Sequence, residues 1–223
     1  MAQIAEDLFL LLLDNASAQP ALDGARRGHV LAAASLLDLA LDCRVRPAVD
    51  GERAPAGRLV ALDTEGPVDP VAAPALAMLQ SRPLRPGTAI KKLGRHTEER
   101  LIAHLEQTGQ IRRTVESTRR FGKTVSYPLT GRGRVGPARQ ALTSALFEGA
   151  PPAPATAAVI TVLHAVDGLG ALLSLNDRGW RWVHARAGEI AGGSWVDESP
   201  SALPEVNLAV TAATVRQALA QLT

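Results

Sequence analysis

The chain has 223 residues, of which 46% are apolar, 3% are aromatic and 21% are charged, and its formal net charge is +2. This length and apolar content suit one domain over residues 1–223 and exclude a disordered or fibrous chain. The scarcity of aromatic residues favours close-packed helices of Leu, Ala and Val over a β-sandwich, and the single cysteine excludes a disulfide framework and a cysteine-rich zinc site.

The first half of the chain is predicted to be helical with short extended pieces. Leucines and small alanines alternate in the strongest helical pattern, which allows close approach of neighbouring helices. The predicted elements are a helix at Ala5–Leu13, turns over Asp14–Gly24, a helix at His29–Asp42, an extended piece at Arg44–Pro47, a hairpin within Val49–Gly66, a helix at Pro70–Gln80 and a loop at Ser81–Gly87.

The second half is predicted to continue as helices around one basic hairpin. Thr88–Thr108 reads as one long helix or two, because Gly94 is a weak point in its middle. The remaining predicted elements are strands at Ile111–Ser117 and Thr124–Tyr127, a helix at Pro137–Glu148, a linker at Gly149–Pro154, an apolar core helix within Ala155–Leu173, a short helix at Arg178–Ile190, a loose stretch at Ala187–Pro204 and a closing helix at Glu205–Leu222. The predicted fold class is mainly α, a compact helical domain with peripheral β-hairpins.

The small net charge conceals a basic middle segment. Residues 82–139 hold 14 basic and 4 acidic side chains, a net charge of +10, whereas residues 1–81 carry −5 and residues 140–223 carry −3. Such a segment is typical of a solvated basic face or of a surface that binds anions. No signal peptide or membrane-spanning helix is predicted, so a cytoplasmic protein is expected that meets a membrane from outside.

No motif in the chain predicts catalysis. Residues 131–136 match G-x-G-x-x-G, but no buried parallel strand precedes them, so a flexible basic loop is the better interpretation. His96 and His104 stand eight residues apart, whereas histidine pairs that bind zinc on a helix stand four apart. Neither an enzyme, a cofactor nor a metal ion is therefore predicted.

The basic hairpin supports two interpretations. At its tip, Arg119, Arg120 and Lys123 surround Phe121, a composition that suits the boundary between lipid headgroups and acyl chains. Alternatively, Glu98–Gly109 followed by the hairpin resembles the last helix and wing of a winged-helix DNA-binding protein. That helix lacks a basic reading face, so nucleic acid is the less favoured partner.

The order of these features resembles the Golgi phosphoprotein 3 family across nearly the whole chain. The resemblance begins with the acidic start and leucine run at Glu6–Leu13, and continues with the small-residue helix at Leu31–Leu41. It resumes at Arg100–Gly109 with the basic hairpin that follows, and closes with the apolar helix Ala158–Ala165. The heavy use of alanine, arginine and proline indicates a bacterial member.

This resemblance implies a mainly helical, non-catalytic peripheral membrane protein that binds phosphatidylinositol 4-phosphate. The family's headgroup pocket has a tryptophan and three arginines; a gapless match sets Asp23, Ala32, Arg95 and Glu98 at these positions, so only one of the four is kept. The expected headgroup-binding residues are Arg95, Lys91, Lys92, Arg26 and Arg27, and the expected membrane contact is the hairpin at Arg119, Arg120, Phe121 and Lys123.

The expected partners are anionic membrane lipids, met at the cytoplasmic face of the membrane. Membrane-protein clients are also compatible with the resemblance. The family uses its hairpin for self-association as well, so a homo-oligomer that buries Arg112–Tyr127, acting as a protein–protein adaptor, remains open beside the membrane and DNA interpretations.

Overall fold

The fold was analysed in a computed structural model, which describes residues 4–118, 122–196 and 203–222, with backbone alone for residues 116–118, 122 and 123. Its helices form because leucine and alanine recur at helical spacing and bury one another. The described helices are α1 (Ile4–Leu13), α2 (Gly24–Leu41), α3 (Ala73–Ser81), α4 (Pro86–Leu93), α5 (Thr97–Gln107), α6 (Val135–Phe147), α7 (Pro154–Ala165), α8 (Asp177–Ala191) and α9 (Leu203–Ala220).

Helix α2 lies at the centre of the core. It packs against α1, α4, α5, α7 and α9, and its run Ala32–Ala34 is fully buried. Small side chains on α2 let the neighbouring backbones approach closely, and the leucines of α1 and α7 fill the remaining space. This packing explains how a chain with few aromatic residues builds an extensive core.

Two short antiparallel hairpins complete the described fold. Strand β1 (Val45–Pro47) pairs with β2 (Leu59–Ala61), and β3 (Thr114–Thr118) pairs with β4 (Gly122–Ser126). The prediction of mainly α structure with small hairpins is therefore confirmed. The first hairpin was predicted wholly within Val49–Gly66, which is wrong: only its second strand lies there, and that strand pairs back onto the extended piece after α2.

Local interactions decide where α2 begins and how the segment Thr88–Thr108 divides. Helix α2 begins five residues before His29, because the Asp23 side chain accepts a hydrogen bond from the Arg26 amide at 3.0 Å and caps the helix at Gly24. Thr88–Thr108 was predicted as one long helix or two; the structure has two, α4 and α5, and they separate at Gly94, as the two-helix alternative predicted. Residues 25–28 thus belong to the central helix α2, and they lie at its N-terminal end.

Buried polar side chains fix the loops that border the core. The Arg44 guanidinium is 6% exposed and donates to the carbonyls of Thr64, Glu65, Gly66 and Pro67 at 2.8–3.1 Å. These four bonds hold the loop between β2 and α3 against the end of α2. They thereby fix the backbone conformation of this loop as it leads into α3.

Candidate functional site

An open cleft of about 720 Å³ lies between the first turns of α2 and the turn that joins α4 to α5. We call it the basic cleft. The residues that line it come from α2, α4, the turn between α4 and α5, α5 itself and the residue after β4. They include His29, Lys91, Arg95, Glu98, Ile102 and Tyr127.

A close contact between two glycines joins α2 to the turn that borders the basic cleft. A Cβ atom built on Gly28 of α2 would lie 2.7 Å from the Gly94 carbonyl oxygen, and one built on Gly94 would lie 3.1 Å from the Gly28 carbonyl oxygen. The first distance is too short for a side chain and the second is tighter than most Cβ contacts, so the two backbones lie in close contact. The contact brings Arg95, the next residue, beside the N-terminal end of α2.

The cationic wall of the cleft comes from amphipathic helix α4. Pro86, Ala89, Ile90 and Leu93 face the core, and the opposite face is exposed. In the described part of the chain, five exposed cations on or beside α4 have no hydrogen bond or ion pair from their side chains. They are Arg82, Arg85, Lys91, Lys92 and Arg95. Lys91 and Arg95 line the cleft, and Lys92 lies on the exposed face of α4 next to it.

Arg26 and Arg27 precede the helix predicted from His29, but the structure places both in the first turn of α2. Arg27 donates to the carbonyl of Leu22 at 2.7 Å and forms an ion pair with Glu98 at 2.9 Å. Its guanidinium therefore ties α2 to α5 and neutralises Glu98. Arg26 pairs with Asp23 and reaches the Val166 carbonyl at 3.4 Å.

Arg26 lines a second cleft of about 670 Å³ on the other side of His29. His29 and Ala25 border both clefts, so the N-terminal end of α2 separates them. Burial, and after it the charge of Lys91, lowers the pKa of His29. A neutral imidazole therefore sits beside the two free cations of the basic cleft near neutral pH.

The N-terminal end of α2 is suited to anions. Gly24 and Ala25 line the cleft, and among the described residues no acceptor engages their amides. Free amides and the helix dipole favour a negatively charged ligand at such an end. Asp23 opposes this, but its charge is balanced by Arg26, whose hydrogen bonds lower the pKa of Asp23.

The family positions fall unevenly around this cleft. Arg95 and Glu98 line it, and Asp23 lies next to it as the cap of α2. Ala32 is fully buried within α2, so the gapless match cannot bring that position to a surface pocket. Of the predicted hairpin contact, Arg119, Arg120 and Phe121 lie outside the described residues, and of Lys123 only the backbone in β4 is described.

These features define a helical protein with an open, cation-lined cleft and no helix, in the part of the chain that the structure describes, of the length and apolarity needed to cross a membrane. A profile of the family described as Golgi phosphoprotein 3 (GPP34) matches residues 4–213. The chain therefore belongs to the Golgi phosphoprotein 3 family. A search of curated proteins finds no match.

Proposed function

We propose that this protein is a non-catalytic peripheral membrane protein that binds anionic phospholipid headgroups at the basic cleft, phosphatidylinositol 4-phosphate among them. The observation that carries the proposal is that Lys91 and Arg95, neither of them paired with any described residue, line the same cleft as Gly24 and Ala25 at the start of α2. A phosphate monoester placed there meets two cations and a helix N-terminus at once.

The surroundings of the cleft support contact with a membrane surface. Lys92, Arg82 and Arg85 extend the positive charge along α4 beyond the cleft itself. Each Lys or Arg near an anionic leaflet contributes about 1 kcal/mol of attraction, so five such cations supply a substantial electrostatic term. In this proposal Arg27 positions Glu98 and Arg26 serves the neighbouring cleft, so Lys91 and Arg95 make the direct contacts with phosphate.

Vesicle co-sedimentation tests the proposal. Neutral vesicles are compared with phosphatidylserine vesicles and with phosphatidylinositol 4-phosphate vesicles of matched total charge, each at low and high salt. We expect binding to the anionic vesicles that weakens as salt rises, because exposed charges are screened. Preference for the phosphoinositide at matched charge indicates a shaped headgroup site, and equal binding indicates electrostatic docking.

Paired variants localise the binding. Removing both cleft cations in Lys91→Gln/Arg95→Gln is expected to weaken binding by about 30-fold, since two contacts of about 1 kcal/mol each are lost. The control Arg178→Gln/Arg181→Gln removes the same charge from exposed positions on α8, away from the cleft, and is expected to change binding only slightly. Equal losses in both variants, or absence of binding by the wild type, would contradict the proposal.

A DNA-binding wing is less well supported. Outward positions of α5 include Glu99, Ala103 and Gln107, none of which attracts phosphates. The predicted contact of the hairpin tip with lipid, and its alternative role in self-association, stay predictions. Salt-sensitive binding to duplex DNA without binding to vesicles would favour the winged-helix interpretation.

A further inference from the structure

A second polar cluster lies apart from the basic cleft, where three distant parts of the chain meet. Glu6 of α1, Asp69 of the loop before α3 and His104 of α5 each present one ligand atom, and these atoms all lie within 4.8 Å of one another. The positions are separated by dozens of residues, so the cluster exists only in the folded protein.

Glu6 has an unusual environment for a carboxylate. Its side chain is nearly fully buried, and the ion pair with Arg134 occupies Oε2 alone. In the described part of the chain Oε1 has no hydrogen-bond partner, although His104 Nε2 lies 3.3 Å away outside hydrogen-bonding geometry. A buried charged oxygen without a hydrogen bond is costly, so a ligand at this point would relieve an existing deficit.

The surrounding groups orient the cluster towards one point. Arg134 Nε also pairs with Asp7 at 2.6 Å, which fixes the guanidinium and, through it, the direction of Oε1. Asp69 Oδ1 accepts from the amides of Val71 at 2.8 Å and Ala72 at 3.3 Å, which fixes the Asp69 carboxylate. Outer hydrogen bonds of this kind are what hold metal ligands in place.

We propose that Glu6 Oε1, His104 Nε2 and a carboxylate oxygen of Asp69 bind a divalent transition-metal ion. One imidazole and two carboxylates suit zinc, which takes nitrogen and oxygen ligands at about 2.0–2.2 Å and is often held by three side chains and a water molecule. The ion would tie α1, the loop before α3 and α5 together.

Zinc titration of chelator-treated, full-length protein tests the site by calorimetry and by thermal unfolding. We expect one zinc per chain with saturable binding. Saturating zinc is expected to raise Tm by about 5–10 °C, because an ion that binds only the folded state stabilises it. No saturable binding by the wild type would overturn the proposal.

Histidine variants assign the binding to this cluster. His104→Gln is expected to lower zinc affinity at least tenfold, while circular dichroism checks that its helices remain. His96→Gln, at an exposed position one residue before the same helix, and His184→Gln, in the histidine pair with His164, are expected to bind zinc normally. Unchanged affinity in His104→Gln, or loss in either control, would overturn the assignment. Since no vesicles are used, the outcome is independent of the proposed lipid binding.

Discussion

The contact between Gly28 and Gly94 makes a quantitative prediction about stability. In an ordinary helix interior Gly→Ala stabilises by about 1 kcal/mol through helix propensity. At Gly28 the new Cβ would lie 2.7 Å from the Gly94 carbonyl oxygen and 3.4 Å from its carbonyl carbon. Backbone atoms cannot rotate away as a flexible side chain would, so α2 or the Gly94 turn has to move by about half an ångström.

The turn at Gly94 has little freedom to make this movement. Its amide donates to Ile90 at 2.8 Å, and the flanking Leu93 and Thr97 are buried. Overpacking of this kind typically costs about 1–3 kcal/mol, which exceeds the gain in propensity. We therefore expect Gly28→Ala to lower the free energy of unfolding by about 1–2 kcal/mol and Tm by roughly 3–8 °C.

Urea denaturation monitored by circular dichroism measures the effect, with Gly188→Ala as the matched control. Gly188 is also helical, but the nearest atom to its added Cβ is His164 Nε2 at 3.8 Å, an ordinary contact. The control is expected to gain about 0.5 kcal/mol or remain neutral. If Gly28→Ala were as stable as the control, the close approach of the two backbones would be refuted.

Two further predictions concern a buried cation and a cleft histidine. Arg44→Lys is expected to lower the free energy of unfolding by about 2–4 kcal/mol in urea denaturation, because an ammonium cannot reach all four carbonyls. The control is Arg58→Lys, which loses one hydrogen bond of 3.5 Å to the Pro83 carbonyl. Equal losses in the two variants would contradict this explanation. Acidification from pH 7.5 to 5.5 is expected to strengthen vesicle binding, because His29, whose pKa is lowered in the free protein, gains a proton beside a bound phosphate. Other charged residues also face this region: Lys91, Arg95, Asp23, Glu98 and Glu99. If His29 is the source of the effect, the pH dependence of vesicle binding has to flatten in His29→Gln.

Most of the helices are predictable because their causes are local. Leucine and alanine periodicity, a proline in the first turn and a glycine at a break act over a few residues, and they locate helices such as α1, α6 and α9 to within about three residues. The early start of α2 was missed although its signal was present. An aspartate directly before a helical run is a sequence signal for a helix start, and Asp23 caps α2 by accepting a hydrogen bond from the Arg26 amide.

The basic cleft was only partly predictable, since its shape depends on how helices dock. Sequence supplied the cations of α4 and Arg95 through their local charge. The sequence could not show that Gly28 contacts Gly94 or that Arg27 forms an ion pair with Glu98, because both contacts join residues more than 60 positions apart. The burial of Ala32 likewise requires the packed core, and a gapless match to the family cannot reveal it.

Helix α5 contributes residues to both the basic cleft and the proposed zinc site, but it does so from opposite faces. Glu98 and Ile102 line the basic cleft, whereas His104 turns towards Glu6. At about 100° per residue, Ile102 and His104 lie about 200° apart around the helix axis, so they occupy opposite sides. Loss of an ion at His104 is therefore felt in the cleft only through the anchoring of α5 as a whole. A failed zinc titration would leave the headgroup proposal intact, since its cations belong to α4 and the Gly94 turn.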